Sequence, residues 1–222
     1  ANARRALLRQ ARQACAILLS EDAGYASASR CRPRALEVSV GLPVDDEGTD
    51  LDLTDPVELT QGLFIRGKID RIDESTETPG ELRLWDYKTG STWAFRRDPP
   101  FDQGRKLQHY MYDRMVRAIL PDATIRLTGY FFPGTSGNGE RIAYAPEALA
   151  VGETLVRQLA ALIRTGTYPA TDDAGDCTYC EFPGICGDVQ AVAAQSGAML
   201  RHCDDPKLAP MRSLRDVEAD DE

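Results

Sequence analysis

Apolar positions along this chain switch between two periods, and the switches predict its elements. Residues 3–19 (ARRALLRQARQACAILL) place Ala6, Leu7, Ala14, Ile17 and Leu18 near helical spacing with arginines opposite, which predicts a helix ending before Gly24. Residues 34–42 (RALEVSVGL) alternate and carry β-branched side chains, which predicts a strand. LFIRGKIDRID (63–73) and ELRLWDYK (81–88) read as two more strands, joined by the turn ESTETPG as an antiparallel hairpin. Residues 103–119 set Leu107, Tyr110, Met111, Met115 and Ile119 on one helical face, and Pro121 stops that helix. TIRLTGYFF (124–132), the Gly-rich loop PGTSGNGE and the run RIAYA predict a strand, a hairpin loop and a short strand. Pro146 opens a helix to about Ile163, closed by Gly166, and an Ala-rich helix follows near 188–199. With no internal repeat, the order predicts one α/β domain built on a mixed sheet, followed by a cysteine-rich, metal-binding appendage.

Composition removes some classes of protein. Hydrophobic residues at 42% and charged residues at 27% exclude global disorder. No apolar run approaches a membrane span, and ANARRALLRQ lacks the apolar core of a signal peptide, so a cytoplasmic protein with no membrane partner is expected. The missing initiator Met leads us to expect a fragment of something longer. The net charge of −9 argues at first against a nucleic-acid partner. Its distribution reverses that: 45–55, expected as a solvated loop, holds six acids and no base, and the acidic end, expected to be flexible, holds seven acids against three bases. The first 34 residues carry seven arginines, so a local basic face is compatible with the total.

The most informative stretch is GKIDRID…LWDYKTG. Side chains two apart on a strand share a face, so Asp86 and Lys88 point together, and the hairpin brings Asp70 toward them. Two carboxylates and an ammonium meeting at a sheet end suit phosphodiester hydrolysis assisted by Mg²⁺ or Mn²⁺: the acids hold the cation through oxygen and Lys88 orients the attacking water. An Asp-x-Lys triplet alone is expected to be a surface salt bridge. The added acid on the preceding strand, the Thr89-Gly90 exit and a helix carrying Gln108 and Tyr112 on one face change that reading. The second informative stretch is Cys177-x2-Cys180-x5-Cys186, half of the six cysteines within ten residues of loop. Thiols so clustered read as metal ligands. Cys203 or His202 as a fourth ligand would close a Zn²⁺ site, while a distant fourth ligand would staple the ends of the domain; thiolate chemistry allows either metal.

These pieces together resemble the PD-(D/E)XK nuclease superfamily, and within it the RecB-like branch that includes AddB-type helicase–nuclease subunits. GKIDRID is similar to the strand carrying the first metal-binding Asp (Asp70), DYKTG to the second acid and Lys (Asp86, Lys88), Gln108 with Tyr112 to the Q-x-x-x-Y motif that contacts DNA or supports the site, and EVSVGLP to the preceding strand. The resemblance implies a restriction-endonuclease-like mixed sheet flanked by helices, with metal held by Asp70, Asp86 and the backbone carbonyl of Tyr87. It implies exonuclease-type cleavage of DNA, single-stranded or at ends, beside a helicase domain or subunit in recombination or repair. CTYCEFPGIC is similar to the branch's C-terminal triplet, implying a structural [4Fe–4S] cluster on Cys177, Cys180 and Cys186. Its fourth ligand is expected before residue 1, with Cys15 and Cys31 as fallbacks. The branch's metal-binding His is matched by neither His109 nor His202, so it too is expected upstream, and cleavage by this chain alone would depend on it. The resulting division is a nuclease core at 1–169, a cluster segment at 170–200 and an acidic tail at 201–222. Two other readings compete: an inactive, stapled DNA-binding module of the same fold, and a zinc-stabilised interaction domain.

Among accessory residues, Trp85 and Tyr87 flank Asp86, and Glu37 projects from the preceding strand. Trp93 and Phe95, beside Arg96 and Arg97, read either as a surface that stacks on single-stranded bases and holds phosphates or as an exposed loop packed against the sheet edge, and Arg105 and Lys106 open the Gln108 helix either within reach of phosphate or as a solvated face.

Overall fold

The computed structural model describes residues 2–43, 48–95, 100–178 and 180–216. Arg96, Arg97, the acids at 45–47 and the last six residues lie outside them. The chain divides into two compact units, Ala1–Gly152 and Glu153–Glu222. Among the described residues no helix is long and apolar enough to cross a membrane.

The first unit is built on a five-stranded sheet. Its elements are α1 (Asn2–Ser29), β1 (Cys31–Val40), β2 (Val57–Thr60), β3 (Leu63–Ile65), β4 (Gly67–Ser75), β5 (Glu81–Tyr87), α2 (Gln108–Ile119), β6 (Thr124–Phe132) and β7 (Glu140–Tyr144). The sheet order is β1-β4-β5-β6-β7, antiparallel throughout except for β5 and β6. Parallel neighbours need a crossover, and α2 is that crossover, which carries it across one face of the sheet. There it closes a core with Val38, Val40, Ile69, Ile72, Leu82 and Leu84, to which it adds Tyr112, Met115 and Val116.

The predicted hairpin of the second and third strands is present as β4 and β5, and 124–132 forms β6 as read. Other elements differ. Residues 63–73 are two strands, because the chain changes sheets at Arg66: β3 pairs with β2 in a separate ribbon, whereas β4 pairs with β1. The alternation runs unbroken through that change, so the period does not mark it. The helix predicted from 103 starts at Gln108, since Asp102 and Gln103 take positive φ around the buried Phe101. α1 runs past Gly24 to Ser29 and ends where Arg30 turns to φ 55. The described part of the acidic stretch is a bonded turn: Asp50 takes both guanidinium nitrogens of Arg34, and Asp52 accepts from the backbone of Ser39 and Thr49.

The second unit is helical. The helix read from Pro146 is a 3-10 turn at the end of the first unit, Pro146–Leu149, followed by α3 (Gly152–Thr165), which begins on the first unit's last residue; the step falls where Gly152 meets the Tyr110 ring, 2.4 Å from where a Cβ would sit. A short turn, α4 (Pro183–Cys186), precedes α5 (Val189–His202) and α6 (Ala209–Asp216). Asp188 caps α5, accepting from the backbone N–H groups of Gln190 and Ala191, and Arg212 donates to the carbonyls of Leu200, Cys203 and Asp205 at its other end.

Candidate active site

Two strands set up the site by ceasing to pair. The β4–β5 ladder ends at Arg71↔Trp85, so Asp70 and Asp86, opposite one another in the next rung, sit where the strands part. β4 is also kinked there. Ile69 and Ile72 both face the α2 core, as do Ala35 and Val38 on β1, so core positions step by three where strict alternation would step by two. Between them Glu37 takes φ 54, the local irregularity that accompanies a redirected side chain. Glu37 itself is exposed, and among the described residues no hydrogen bond ties it to the site.

The carboxylates converge under α2. The Tyr112 hydroxyl lies 3.1 Å from Asp70 Oδ1 and 3.1 Å from Asp86 Oδ1, which places the two acids within twice that distance of each other. A phenol has one proton, so two carboxylate oxygens compete for it. The other Asp70 oxygen accepts the Tyr87 backbone N–H at 2.8 Å. In an extended strand a residue's N–H and C=O point to the same side, so the Tyr87 carbonyl opens toward the same gap. Lys88 reaches Asp86 Oδ2 at 2.5 Å and donates to Gln108 Oε1 at 2.8 Å, while the Gln108 amide lies 3.4 Å from the Tyr112 hydroxyl. Gln108 stands in the first turn of α2 and Tyr112 one turn later, as i and i+4 on one face. The five side chains Asp70, Asp86, Lys88, Gln108 and Tyr112 are therefore one connected cluster.

Burial pushes the Asp86 carboxyl above its ordinary range; Lys88 and the Tyr112 hydroxyl pull it back, and the Asp70 charge raises it further. Tyr112 is shifted well up by burial and by both acids, so its hydroxyl stays a donor. Two acids at 1% and intermediate exposure face a single lysine, an excess of negative charge that hard cations relieve. Among the described residues no group of three or more His, Cys, Asp or Glu side chains is arranged for a metal ion. The donor set on offer is thus two carboxylates and a backbone carbonyl, completed by water, which fits a cation such as Mg²⁺ that keeps several of its waters.

The opposite face carries residues that the sequence did not single out. Arg71, next to Asp70 but on the other side of the sheet, donates to Asp73 at 2.7 Å, Asp22 of α1 at 2.6 Å and the Tyr87 hydroxyl at 3.2 Å. Arg141 of β7 meets the other Asp22 oxygen at 2.6 Å, its guanidinium 3.7 Å from the centre of the Phe131 ring. Trp85 lies on this face against Tyr25, in a T-shaped contact at 5.7 Å. An acid in an arginine-rich helix was the sole sequence signal for Asp22.

His109 takes no part in the cluster. It is fully buried among Phe101, Tyr130 and Tyr144, its Nδ1 2.9 Å from the Tyr130 hydroxyl, and burial with Lys106 nearby lowers it to about 3, so it is neutral. His202 closes α5. Arg105 bonds Gln103, and Lys106 pairs with Asp102 at 3.0 Å.

All six cysteines are free; Cys31 is buried, Cys177 half-buried, and Cys15, Cys180, Cys186 and Cys203 exposed. Burial raises the Cys177 thiol, and Cys180 and Cys186 are near enough to raise it further by charge. The Phe182 N–H lies 3.4 Å from the Cys180 sulfur. These thiols are neighbours, but they are not gathered as a ligand set among the described residues.

A family model for the PD-(D/E)XK nuclease superfamily matches residues 1–187, and the chain belongs to that superfamily. The helix-flanked, mostly antiparallel sheet is the restriction-endonuclease-like fold expected of it. No curated protein matches the chain.

Proposed function

We propose that this chain is a metal-dependent deoxyribonuclease domain, of exonuclease type, that works on single strands or DNA ends beside a helicase domain or subunit in recombination or repair. The observation that carries the nuclease chemistry is the pair of carboxylates on one hydroxyl, with Lys88 on the second oxygen of Asp86. A divalent cation, Mg²⁺ or Mn²⁺, held by Asp70, Asp86 and the Tyr87 carbonyl, would supply positive charge at the scissile phosphate and a more acidic water. The chain's own residues do the rest. Tyr112 holds the acids together against their repulsion. Lys88, fixed between Asp86 and Gln108, aims its remaining N–H at the water or at the charge developing on phosphate. Gln108, once its bond to Lys88 exchanges, presents an amide to the backbone of the strand. The helicase partnership and the repair setting rest on the resemblance of the motif series to the RecB-like branch.

The same reading assigns Cys177, Cys180 and Cys186 to a structural [4Fe–4S] cluster with a fourth thiolate from elsewhere, supported by their spacing and by the nearness of Cys180 and Cys186 to Cys177. Anaerobically purified protein is expected to contain iron and absorb in the visible; a colourless sample holding zinc alone removes the cluster. The nuclease assignment is tested on labelled single-stranded DNA with Mg²⁺. Lys88→Ala is expected to lose cleavage while keeping the wild-type melting curve, and undiminished cleavage refutes it.

A further inference from the structure

The protein has two tryptophans, and their surroundings are opposite. Trp85 is 2% exposed beneath α1, whereas Trp93 is 78% exposed on the loop leaving the DYKTG strand. That loop is fastened on both sides of the indole's neighbours. Phe95 packs on Tyr130 and Phe132, at 4.6 and 5.2 Å between ring centres, and the Lys106 ammonium sits 5.2 Å over the Phe95 ring while bonding the Ala94 carbonyl. Upstream, the Thr89 carbonyl lies 2.9 Å from where a Gly134 Cβ would be, so the strand exit is also seated closely. Phe95 is the loop's anchor. Trp93 has no aromatic or cationic partner among the described residues.

The loop is also tied to the site. Tyr130, the ring under Phe95, is the ring that Lys88 overlies, its Nζ 5.6 Å from the centre. Trp93 lies five positions after Lys88, so the two Cα atoms are at most roughly 18 Å apart. A solvent-facing indole on a loop anchored by Phe95, at that distance from a phosphate-handling lysine, matches one chemistry best. Every base has a π-face, and stacking on an aromatic side chain is the sequence-tolerant way to hold a base that has left its helix. A protein partner would instead need a contiguous apolar patch, and the next ring along the chain, Phe95, is turned inward.

We propose that Trp93 is a stacking subsite for an unpaired nucleobase of the strand whose phosphate the Asp70–Asp86–Lys88 cluster engages. This rests on the nuclease reading and assigns the residue that holds an unpaired base in it. The subsite holds a base, not a phosphate, so its contribution vanishes where the base is absent.

The indole supplies its own reporter, since Trp85 is shielded. Titrating the protein with a short oligodeoxythymidylate in EDTA is expected to quench the emission of Trp93. By fluorescence anisotropy of a labelled strand, Trp93→Ala is expected to bind about ten-fold more weakly and Trp93→Phe by less than that. An oligonucleotide of abasic sugars is expected to bind wild type and Trp93→Ala alike. Unchanged affinity of Trp93→Ala for the thymidylate strand overturns the subsite, as does a loss that persists equally on the abasic strand. If wild type binds and cleaves DNA while either of those results holds, the subsite alone falls. If wild type binds no strand, with or without Mg²⁺, the nuclease reading falls and takes the subsite with it. Circular dichroism matching wild type confirms that each variant folds.

Discussion

On the face of the central sheet that meets α1, Asp22 is shared by Arg71 and Arg141, and Asp73 takes a second nitrogen of Arg71: two acids, two bases, each pair at 2.6 or 2.7 Å. On the face that meets α2, Asp70 and Asp86 share one hydroxyl, and a single lysine pairs with Asp86. Both sets are buried or nearly so, and the same two strands carry them, since Arg71 follows Asp70 and Tyr87 follows Asp86. Closed accounts of charge hold structure, because removing either partner strands the other in low dielectric. An unclosed account, kept by the fold at the point where its strands separate, is a place where something else supplies the missing charge. The difference separates the staple from the site more sharply than burial does.

Asp86→Asn is expected to have the largest effect on that contrast. It removes one of the two carboxylate ligands of the proposed cation, and cleavage is expected to fall by about 10³-fold or more. Stability at neutral pH is expected to hold or rise. The folded-state pKa of Asp86 is raised by burial, so its ionised form opposes folding above that pKa and the opposition fades as pH falls through it. Lys88 keeps Gln108 as a partner. Urea titrations at neutral pH check this; a marked loss of stability would put Asp86 with the staple. The same shift means that in the metal-free protein a proton competes for Asp86 at a higher pH than for an ordinary Asp, near 3.9, so the Mg²⁺ concentration needed for half-maximal cleavage is expected to rise as the pH falls, as metal titrations at several pH values would show.

Asp22→Ala reverses the pattern. It takes the Asp22 carboxylate from Arg141 and leaves Arg71 with Asp73 alone, and unfolding free energy is expected to drop by about 3 kcal/mol, read from the shift of the urea midpoint. Cleavage per folded molecule is expected to fall far less than in Asp86→Asn. If the two variants lost activity equally, the two faces would be one functional assembly.

The staple and the site were unequally visible in the sequence. Asp86 and Lys88 are two apart on a strand, and Asp70 reaches them through a hairpin with a short turn, so alternation and one local pairing were enough to bring them together. Gln108 and Tyr112 followed from helical spacing alone. Asp22 meets Arg71 across 49 positions and Arg141 across 119, which only the sheet order brings about. The kink at Glu37 and Asp70 was equally hidden, because each strand alternates normally on either side of it. Helix ends failed for a related reason: tertiary contacts at Asp22 and Tyr25 carry α1 past Gly24, against the local preference. His109, read as idle in metal binding, turned out to be the polar member of an aromatic cluster, a role with no linear signature.

Tyr112→Phe sharpens the α2 side with a smaller effect. Its hydroxyl, held protonated by burial and by both acids, is the donor that keeps like charges together when no cation is present. Without it, thermal stability in EDTA is expected to fall by about 1 kcal/mol. A cation would then take over the same task, so Mg²⁺ is expected to raise the melting temperature of Tyr112→Phe more than that of wild type, by linkage of binding to folding. Equal shifts would mean that the hydroxyl does not share its task with a metal.

The smallest expected effect addresses what holds α1 against the sheet. If the ion pairs of Asp22 and the ring contact of Tyr25 fix the helix, then Gly24 between them is a weakness in the helix and not a hinge the fold uses. Gly24 is exposed, it lies within the helix, its φ is not positive, and an added Cβ would meet nothing within 4 Å. Alanine there removes backbone freedom from the unfolded chain at no steric cost. Gly24→Ala is therefore expected to stabilise the protein by about 0.5–1 kcal/mol. In an Asp22→Ala background the gain is expected to shrink, because a helix no longer held to the sheet frays from that end and orders fewer residues on folding. Additive gains in a double-mutant cycle would show that α1 stays docked without its ion pairs, and would move the staple's contribution from Asp22 to the aromatic contact of Tyr25 with Trp85.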